Sequence, residues 1–329
     1  MIPRAVCKPD VRLLLAISAI LCICHFSAYA QTKSQSPHLV FSTYLGGSIP
    51  CGPGVSPLTF AQNAASDSLG NTYVTGATQV YDLPVLNAWQ PKPAAESIMS
   101  AFVAKYDPAG KMLWCTYLGG DGESMGVGVA AMPDGGVAVA GLTNSVAPGF
   151  PVMNAFQPDN NGQSDYFVSV FDANGNMRYS TYLGGSGVEG TPNSVFSDDN
   201  SNGNNVAADA HGLVYITGAT SSAGGTKKFP VTQNALQPDL AGKTDAFLCI
   251  IDPGRSGQSS LVYSSFLGGT GDEKGHGIAV NSAGSQITVG GYTNSLDFPT
   301  TDNAYRSTHP PVSSSLLAAK CLGVETTFR

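Results

Sequence analysis

Ser42-Thr43-Tyr44-Leu45-Gly46-Gly47 is the first of four copies of one short motif, and the spacing of these copies decides the fold. The later copies read Cys-Thr-Tyr-Leu-Gly-Gly at 115–120, Ser-Thr-Tyr-Leu-Gly-Gly at 180–185 and Ser-Ser-Phe-Leu-Gly-Gly at 264–269. Self-similarity at long intervals is the mark of a repeat architecture. Each copy therefore predicts the same point in a recurring structural unit.

Three further segments recur in fixed order between the copies. The first is small and apolar, at 62–66, 128–131, 205–208 and 277–280. The second ends near Thr-Gly-x-Thr, at 72–78, 137–143, 214–220 and 287–293. The third precedes the motif, at 101–106, 166–171 and 246–251. All are short, rich in β-branched and aromatic residues and bounded by Gly, Asp, Asn and Pro, so they predict strands.

The connections between these strands also repeat. Asp107-Pro108-Ala109-Gly110 typifies the turn after the third segment, where Pro presets the first turn dihedral and Gly supplies a positive one. A Phe-Pro or Leu-Pro connection follows each second segment and leads to an Asn-Ala pair. The large residues after that pair include Trp89, Phe156 and Tyr305, which we expect to fill the core between units.

These patterns predict an all-β fold, a β-propeller of four-stranded antiparallel blades. Many strands, such as 213–218, are apolar or small on both faces, which is typical of sheets stacked radially rather than solvated on one side. The Ala-rich first segments suit innermost strands. We expect the Gly pair of the motif to let the chain turn towards the inner strand of the next blade.

The boundaries predict one propeller domain over 31–329, with blades at about 60–120, 121–185, 186–269 and 270–322. The copy at 40–47 has no blade of its own. Residues 315–321 align with 100–106, which predicts a third strand at 316–322, and strand 40–47 would then complete the fourth blade and close the ring. The alternative is a truncated piece of a longer array, favoured by the interruption at His309-Pro310-Pro311.

Composition and the N-terminus indicate an exported protein. Arg4, Lys8 and Arg12 precede an apolar run at 13–24, and Ala28-Tyr29-Ala30 offers a cleavage site, so residues 1–30 predict a signal peptide. No later run is long enough to span a membrane. The 329 residues are 12% charged with a net charge of −7 and no basic block, which argues against nucleic-acid binding.

The cysteines left after cleavage do not form a metal-binding pattern. Cys51, Cys115, Cys249 and Cys321 are scattered, with no Cys-x-x-Cys pair. The residues suggest either buried thiols or one disulfide that involves Cys51, because an exported protein meets an oxidising compartment.

The recurring motifs together resemble the SBBP repeat family of bacterial β-propeller repeats. The resemblance rests on Tyr-Leu-Gly-Gly at 182–185, Gly-Asn-Thr-Tyr-Val-Thr-Gly at 70–76, Phe-Pro-Thr at 298–300 and Ala-Phe-Val-Ala-Lys at 101–105. It covers residues 40 to about 305. The family name implies seven blades, more than this chain holds. The resemblance implies an exported or surface protein and no particular reaction.

One insertion has the residue spacing of a calcium loop. Its oxygen-bearing residues alternate, a Gly stands sixth and an acid twelfth, as in loops that wrap Ca²⁺ with hard oxygen donors. The predicted ligands, with calcium as the only cofactor considered, are Asp198, Asn200, Asn202, Asn204 and Asp209. The other interpretation is a polar surface loop, in which Asp209 is a hairpin-turn residue like Asp67.

Acids also follow each later Gly pair, at Asp121, Glu123, Glu189, Asp272 and Glu273. We expect them to be solvated on one loop face, where they would line at most a weak cation or sugar site. No catalytic constellation is predicted. The favoured function is a non-enzymatic binding or structural module at the cell envelope, with a protein or polysaccharide ligand. The alternative is a propeller-type glycan lyase or hydrolase with acids converging on the channel.

Overall fold

The computed structural model describes residues 38–95, 98–146, 148–190, 203–224, 227–309 and 315–322. Residues 38–40, the described part of a unit that ends at Val40, are exposed and have no regular structure. The described part of the second unit, from Phe41 onward, consists of β-strands with one short 3-10 helix, so the all-β prediction is confirmed. In these ranges no helix is long and apolar enough to cross a membrane.

The strands form four antiparallel sheets in chain order. The first sheet holds β1 (Thr59–Ser66), β2 (Thr72–Thr78), β3 (Ser100–Tyr106) and β4 (Met112–Leu118). The second holds β5 (Ser124–Ala131), β6 (Val137–Thr143), β7 (Asp165–Phe171) and β8 (Met177–Leu183). The third holds β9 (Val206–Ala208), β10 (Val214–Thr220), β11 (Asp245–Ile251) and β12 (Leu261–Leu267). The fourth holds β13 (Glu273–Val280), β14 (Gln286–Thr293) and β15 (Ser315–Leu322).

Tight hairpin turns join the strands at one end of the sheets, which we call the turn end. Asp67 Oδ1 accepts the backbone N–H groups of Leu69 and Asn71, both at 2.9 Å. Gly70 has a φ of 83°, which only glycine adopts without strain. The turn at Asp107 repeats this arrangement with Gly110 at a φ of 84°, so the predicted turn chemistry is confirmed.

The core lies in layers between consecutive sheets. Every residue of β6 and β7 is buried, because the second sheet is covered on both faces. In β14, buried Ile287 and Val289 alternate with exposed Gln286 and Thr288, so the fourth sheet is covered on one face. Ile287 and Val289 pack with Tyr215 of the third sheet. The stacked, two-sided sheets are those of propeller blades.

The Gly pair of the motif is needed for close approach, and not for a backbone dihedral that only glycine adopts. None of these glycines is among those with positive φ. A Cβ on Gly120 would lie 2.5 Å from the backbone N of Phe150, and one on Gly185 would lie 2.6 Å from the N of Phe229. The second glycine therefore lets each fourth strand pass against the Phe-Pro connection of the next sheet.

The predicted closure of the ring by strand 40–47 is not formed. Residues 42–47 have no strand assignment, and Tyr44 is fully exposed. β15 pairs with β14 and, among the described residues, with no fourth strand. Phe41 and Leu45 instead pack on the outer face of the first sheet, beside Phe102 and Tyr117. Burial of these two side chains against that face stabilises the N-terminal segment there.

The large residues after the Asn-Ala pairs do not share one environment. Phe156 is 4% exposed and belongs to the core, whereas Trp89 is 37% exposed and Tyr305 is fully exposed. The prediction of a common core plug was therefore right for Phe156 and wrong for the other two. Tyr305 lies in the connection between β14 and β15 of the fourth sheet, whose outer face has no neighbour among the described residues.

Candidate functional site

The calcium loop is described only at its C-terminal side, since Asp198, Asn200 and Asn202 lie outside the described residues. Asn204 is engaged with the second sheet: its Oδ1 accepts the N–H of Val129 at 3.0 Å and its Nδ2 donates to the Val129 carbonyl at 2.9 Å. Among the described residues, no three His, Cys, Asp or Glu side chains are grouped so that they could hold a metal.

Asp209 takes the hairpin-turn position that the sequence offered as its other interpretation. Its Oδ1 accepts the N–H groups of His211 and Leu213, at 2.9 and 3.0 Å, and its Oδ2 accepts the hydroxyl of Tyr215 at 2.8 Å. Asp67 makes the equivalent bonds to Leu69 and Asn71. Asp209 therefore has a structural role, and calcium binding by this loop stays a prediction.

The acids after the Gly pairs lie at the opposite end of the sheets, which we call the glycine end. Our expectation that they are all solvated was wrong, because Glu189 and Glu273 are completely buried. Asp121 is exposed, whereas Glu123 is half-buried and burial raises the pKa of its carboxyl. Two of the five acids therefore belong to the interior between sheets.

Glu189 joins the second and third sheets through a buried network. Its Oε1 accepts the hydroxyl of Thr220 at 2.8 Å and that of Ser222 at 2.6 Å. Both residues lie at the end of β10, while the carbonyl of Glu189 accepts the hydroxyl of Ser164 just before β7. Because buried polar groups are costly unless they are hydrogen-bonded, these donors are needed to hold the carboxyl in place.

Asp165, the first residue of β7, is the partner of Glu189. Its Oδ2 accepts from Gln157 Nε2 at 2.7 Å and from the backbone N–H of Asn161 at 3.0 Å. Asp165 Oδ1 and Glu189 Oε2 are buried and receive no other N–H or O–H donor from the described residues. Both oxygens lie beside Gly184, at 2.4 and 2.8 Å from a Cβ added there. One proton held between the two carboxyls would give each of these oxygens a partner.

The pKa values agree with a shared proton. Burial raises the pKa of Asp165 to about 6, against the lowering effect of its N–H donors. Burial, and then the charge of Asp165, raises the pKa of Glu189 well above its ordinary value. Two carboxylates in contact cannot both ionise without a large repulsion, so the pair keeps a proton under conditions where exposed acids have lost theirs.

The third and fourth sheets meet at a second pair of buried acids, Asp245 and Glu273, in which Glu273 Oε2 accepts the N–H of Gly269 at 2.8 Å. Gln237 Nε2 donates to Asp245 Oδ2 at 2.7 Å, as Gln157 does to Asp165. The hydroxyls of Thr293 and Ser295 donate to Glu273 Oε1, as Thr220 and Ser222 do to Glu189. Burial raises the pKa of Asp245, but the N–H groups of Ala241 and Gly242 oppose the shift.

The first junction has the same position but different residues. Ser100 begins β3 where Asp165 begins β7, and Ser124 begins β5 where Glu189 precedes the third sheet. Ser124 Oγ lies 2.9 Å from Thr143 Oγ1. Thr143 belongs to the same sheet as Ser124, so this hydrogen bond lies within the second sheet. Ser100 Oγ and Ser124 Oγ both lie beside Gly119, at 3.3 and 3.5 Å from a Cβ added there. The position is therefore polar at both junctions, with hydroxyls at the first and carboxyls at the second.

The first glycine of each motif makes room for these bridges. A Cβ on Gly184 would lie 2.4 Å from Asp165 Oδ1 and 2.8 Å from Glu189 Oε2. On Gly119 it would lie 3.3 Å from Ser100 Oγ. The carboxyl pair thus leaves no space for a side chain at Gly184. The serine junction leaves almost enough space for a methyl group at Gly119.

A cavity of about 250 Å³ opens at the turn end. It is lined by the β1–β2 turn at Asp67 and Leu69, by the β5–β6 turn at Met132 and Gly135, and by Asp209. Hydrogen bonds from Asn71 and Tyr73 lower the pKa of Asp67 although burial opposes them, so this carboxylate is ionised. The cavity is below the roughly 300 Å³ that small-molecule sites usually reach.

The two buried carboxyl pairs lie at the opposite end of the sheets from the accessible cavity. The buried carboxyls are 0% exposed at the glycine end, so a polysaccharide cannot reach them, whereas the cavity lies at the turn end. The described cysteines are free thiols, three of them buried. Burial raises the pKa of Cys115 and of Cys249 to about 12, so neither is a nucleophile at neutral pH.

Sequence reasoning singled out Glu189 and Glu273 but missed their partners, Asp165 and Asp245. The signal was present as an acid at the first position of the third strand, where the first sheet has Ser100. Without the sheet stacking, nothing in the sequence joins that position to an acid two dozen residues later.

Comparison with known proteins supports the repeat assignment. A curated relative, the "Regulatory protein FlaEY" of Caulobacter vibrioides, is 27% identical over 190 residues, which is 58% of this chain and 18% of the relative. The chain thus spans less than a fifth of that protein's length. The family model described as "Beta-propeller repeat" (SBBP) matches residues 40–84. The resemblance seen in the motifs is confirmed there: residues 40–84 carry a β-propeller repeat of the SBBP family.

Proposed function

We propose that the chain is an exported, non-enzymatic binding or structural module of the cell envelope that holds a protein or polysaccharide ligand at its turn end. The observation that carries this proposal is the location of the ionisable groups. The two carboxyl pairs are sealed between sheets, and the open cavity is walled by hairpin turns whose carboxylates are already hydrogen-bonded to the backbone. Such a site offers shape and polar contacts rather than an acid and a base.

Export is supported by the signal-like segment at residues 1–30. Expression of the full chain in a bacterial host, followed by fractionation and mass spectrometry, tests this part. We expect a product outside the cytoplasm that begins at Gln31. A full-length product retained in the cytoplasm would refute the localisation.

Binding is tested by co-sedimentation of the purified protein with peptidoglycan sacculi and with extracted envelope polysaccharide. Leu69, 76% exposed, lines the cavity, and Leu236, 70% exposed, does not, so they form a matched pair. We expect Leu69→Arg to weaken binding at least tenfold and Leu236→Arg to leave it unchanged. Equal effects would rule out the turn end as the site, and absence of binding to either polymer would rule out a polysaccharide ligand.

A further inference from the structure

The N-terminal motif has the sequence of a fourth strand but no sheet of its own, and its end lies against the first sheet as at a sheet junction. Ser48 N–H donates to Asp82 Oδ1 at 2.9 Å, as Thr270 N–H donates to Asp297 Oδ1 at 2.9 Å where the third sheet meets the fourth. Gly47 approaches Asp82 as Gly269 approaches Asp297. Residues 46–48 therefore meet the first sheet as the end of a preceding sheet's fourth strand would.

The residues before Gly46 lie on the outer face of the first sheet. Leu45 packs there, in the position by which Leu118 packs between the first and second sheets. Tyr44 occupies the motif position of Tyr117 and Tyr182, which are completely buried, yet it is fully exposed. Among the described residues, no strand of a preceding sheet covers Tyr44.

At the opposite end of the array, no following sheet covers the fourth sheet among the described residues. In the part of the chain that the structure describes, β15 is an edge strand, and an edge presents unpaired backbone N–H and C=O groups that favour pairing with another strand. Leu316 is 83% exposed. Its counterpart in register, Tyr166, is buried against Phe247 of the next sheet, with ring centroids 5.4 Å apart. Leu316 thus lies where a following sheet would cover it.

We propose that a second copy of this chain supplies both missing parts: its residues 42–45 pair antiparallel with β15, and its first sheet covers the outer face of the fourth. Register follows from the internal sheets, in which Val103 pairs with Thr116 and Val168 with Thr181. By the same register Ala318 pairs with Thr43 of the second copy. Such contacts join unlike surfaces, so the assembly is head-to-tail and grows with concentration.

Cross-linking of two variants, each with one added cysteine, tests the pairing. In a background with Cys7, Cys22, Cys24 and Cys321 replaced by alanine, which keeps only the buried Cys51, Cys115 and Cys249, Thr43→Cys protein is mixed with Ala318→Cys protein and oxidised. We expect a disulfide-linked product of twice the chain mass. Thr43→Cys mixed with Ser68→Cys, an exposed position at the turn end, serves as the control and should give at least tenfold less. Equal yields from the two mixtures would overturn the proposal.

The double variant Thr43→Cys/Ala318→Cys distinguishes a second copy from the chain's own strand. Oxidation at low concentration should leave it mostly unlinked, whereas quantitative linkage within one chain would show that the ring closes on itself and would overturn the proposal. Mass measured by light scattering should rise with concentration. Tyr44→Asp should weaken this association roughly tenfold or more without changing the midpoint of thermal unfolding at low concentration. Leu236→Asp, exposed in the connection between β10 and β11, should change neither quantity. A constant monomer mass would also overturn the proposal.

Discussion

The junctions between the first and second sheets and between the second and third place different chemistry at one position. Ser100 and Ser124 place hydroxyls at the first junction, while Asp165 and Glu189 place carboxyls at the second, where we expect them to share a proton. The comparison shows that the fold accepts either hydroxyls or carboxyls at this buried position. The carboxyl version ties the stability of the array to pH, and the hydroxyl version does not.

The largest expected difference between the junctions comes from alanine substitution of Glu189, which precedes the third sheet, and of Ser124, which begins β5 of the second sheet. Glu189→Ala leaves the hydroxyls of Thr220 and Ser222 without their acceptor, deprives Asp165 of its partner and opens a cavity. We expect a loss of about 3 kcal/mol in the free energy of unfolding. Ser124→Ala removes one hydroxyl contact and should cost about 1 kcal/mol. Urea unfolding measures both, and equal losses would contradict the special role of the acid pair.

Adding a methyl group tests the space at each junction. Gly184→Ala places Cβ 2.4 Å from Asp165 Oδ1, so the carboxyl pair must move, and we expect destabilisation of about 2 kcal/mol. Gly119→Ala meets Ser100 Oγ at 3.3 Å, and a small shift relieves that contact. Its effect should be within about 0.5 kcal/mol. Thermal unfolding compares them, and the interpretation fails if Gly119→Ala is the more damaging substitution.

The shared proton makes stability depend on pH. The pKa of Asp165 is raised to about 6 in the folded chain, so its stabilising contribution is complete below the ordinary carboxyl pKa of about 4. It is lost as the pH rises through about 6. Relative to the wild type, Asp165→Asn should lose less unfolding temperature between pH 4.5 and 7.5, by roughly 2–4 °C. Parallel profiles for the two proteins would exclude the shared proton.

The second carboxyl pair should show the smallest effect. Both oxygens of Asp245 accept backbone N–H groups, from Ala241 and Gly242, which lower its pKa against the raising effect of burial. Asp245→Asn should therefore flatten the pH profile in the same direction as Asp165→Asn but by less than half as much. The same thermal series measures it, and a larger effect than that of Asp165→Asn would reverse our ranking of the two sites.

Sequence predicted the strands well because their signals are local. The second strands were predicted at the residues where three of them occur, and the Asp and Gly of each hairpin act within four residues of one another. The acid pairs could not be predicted in this way. Glu189 is bonded to Thr220 and Ser222, more than thirty residues along the chain, and these come together only when the sheets stack.

Some features of the motif Tyr-Leu-Gly-Gly follow from local sequence, and others follow from tertiary packing. By itself the sequence determined the repeat, the strand content and the turns, because hydrogen bonding and dihedral preference act over a few residues. The tertiary structure decided why the glycines are glycines: not for their dihedrals, but because a carboxyl pair and a neighbouring backbone lie where Cβ atoms would be. It also decided the position of the first motif copy, since Phe41 and Leu45 pack on the apolar surface of the first sheet. Packing between distant segments sets both outcomes, and a local sequence pattern does not predict such packing.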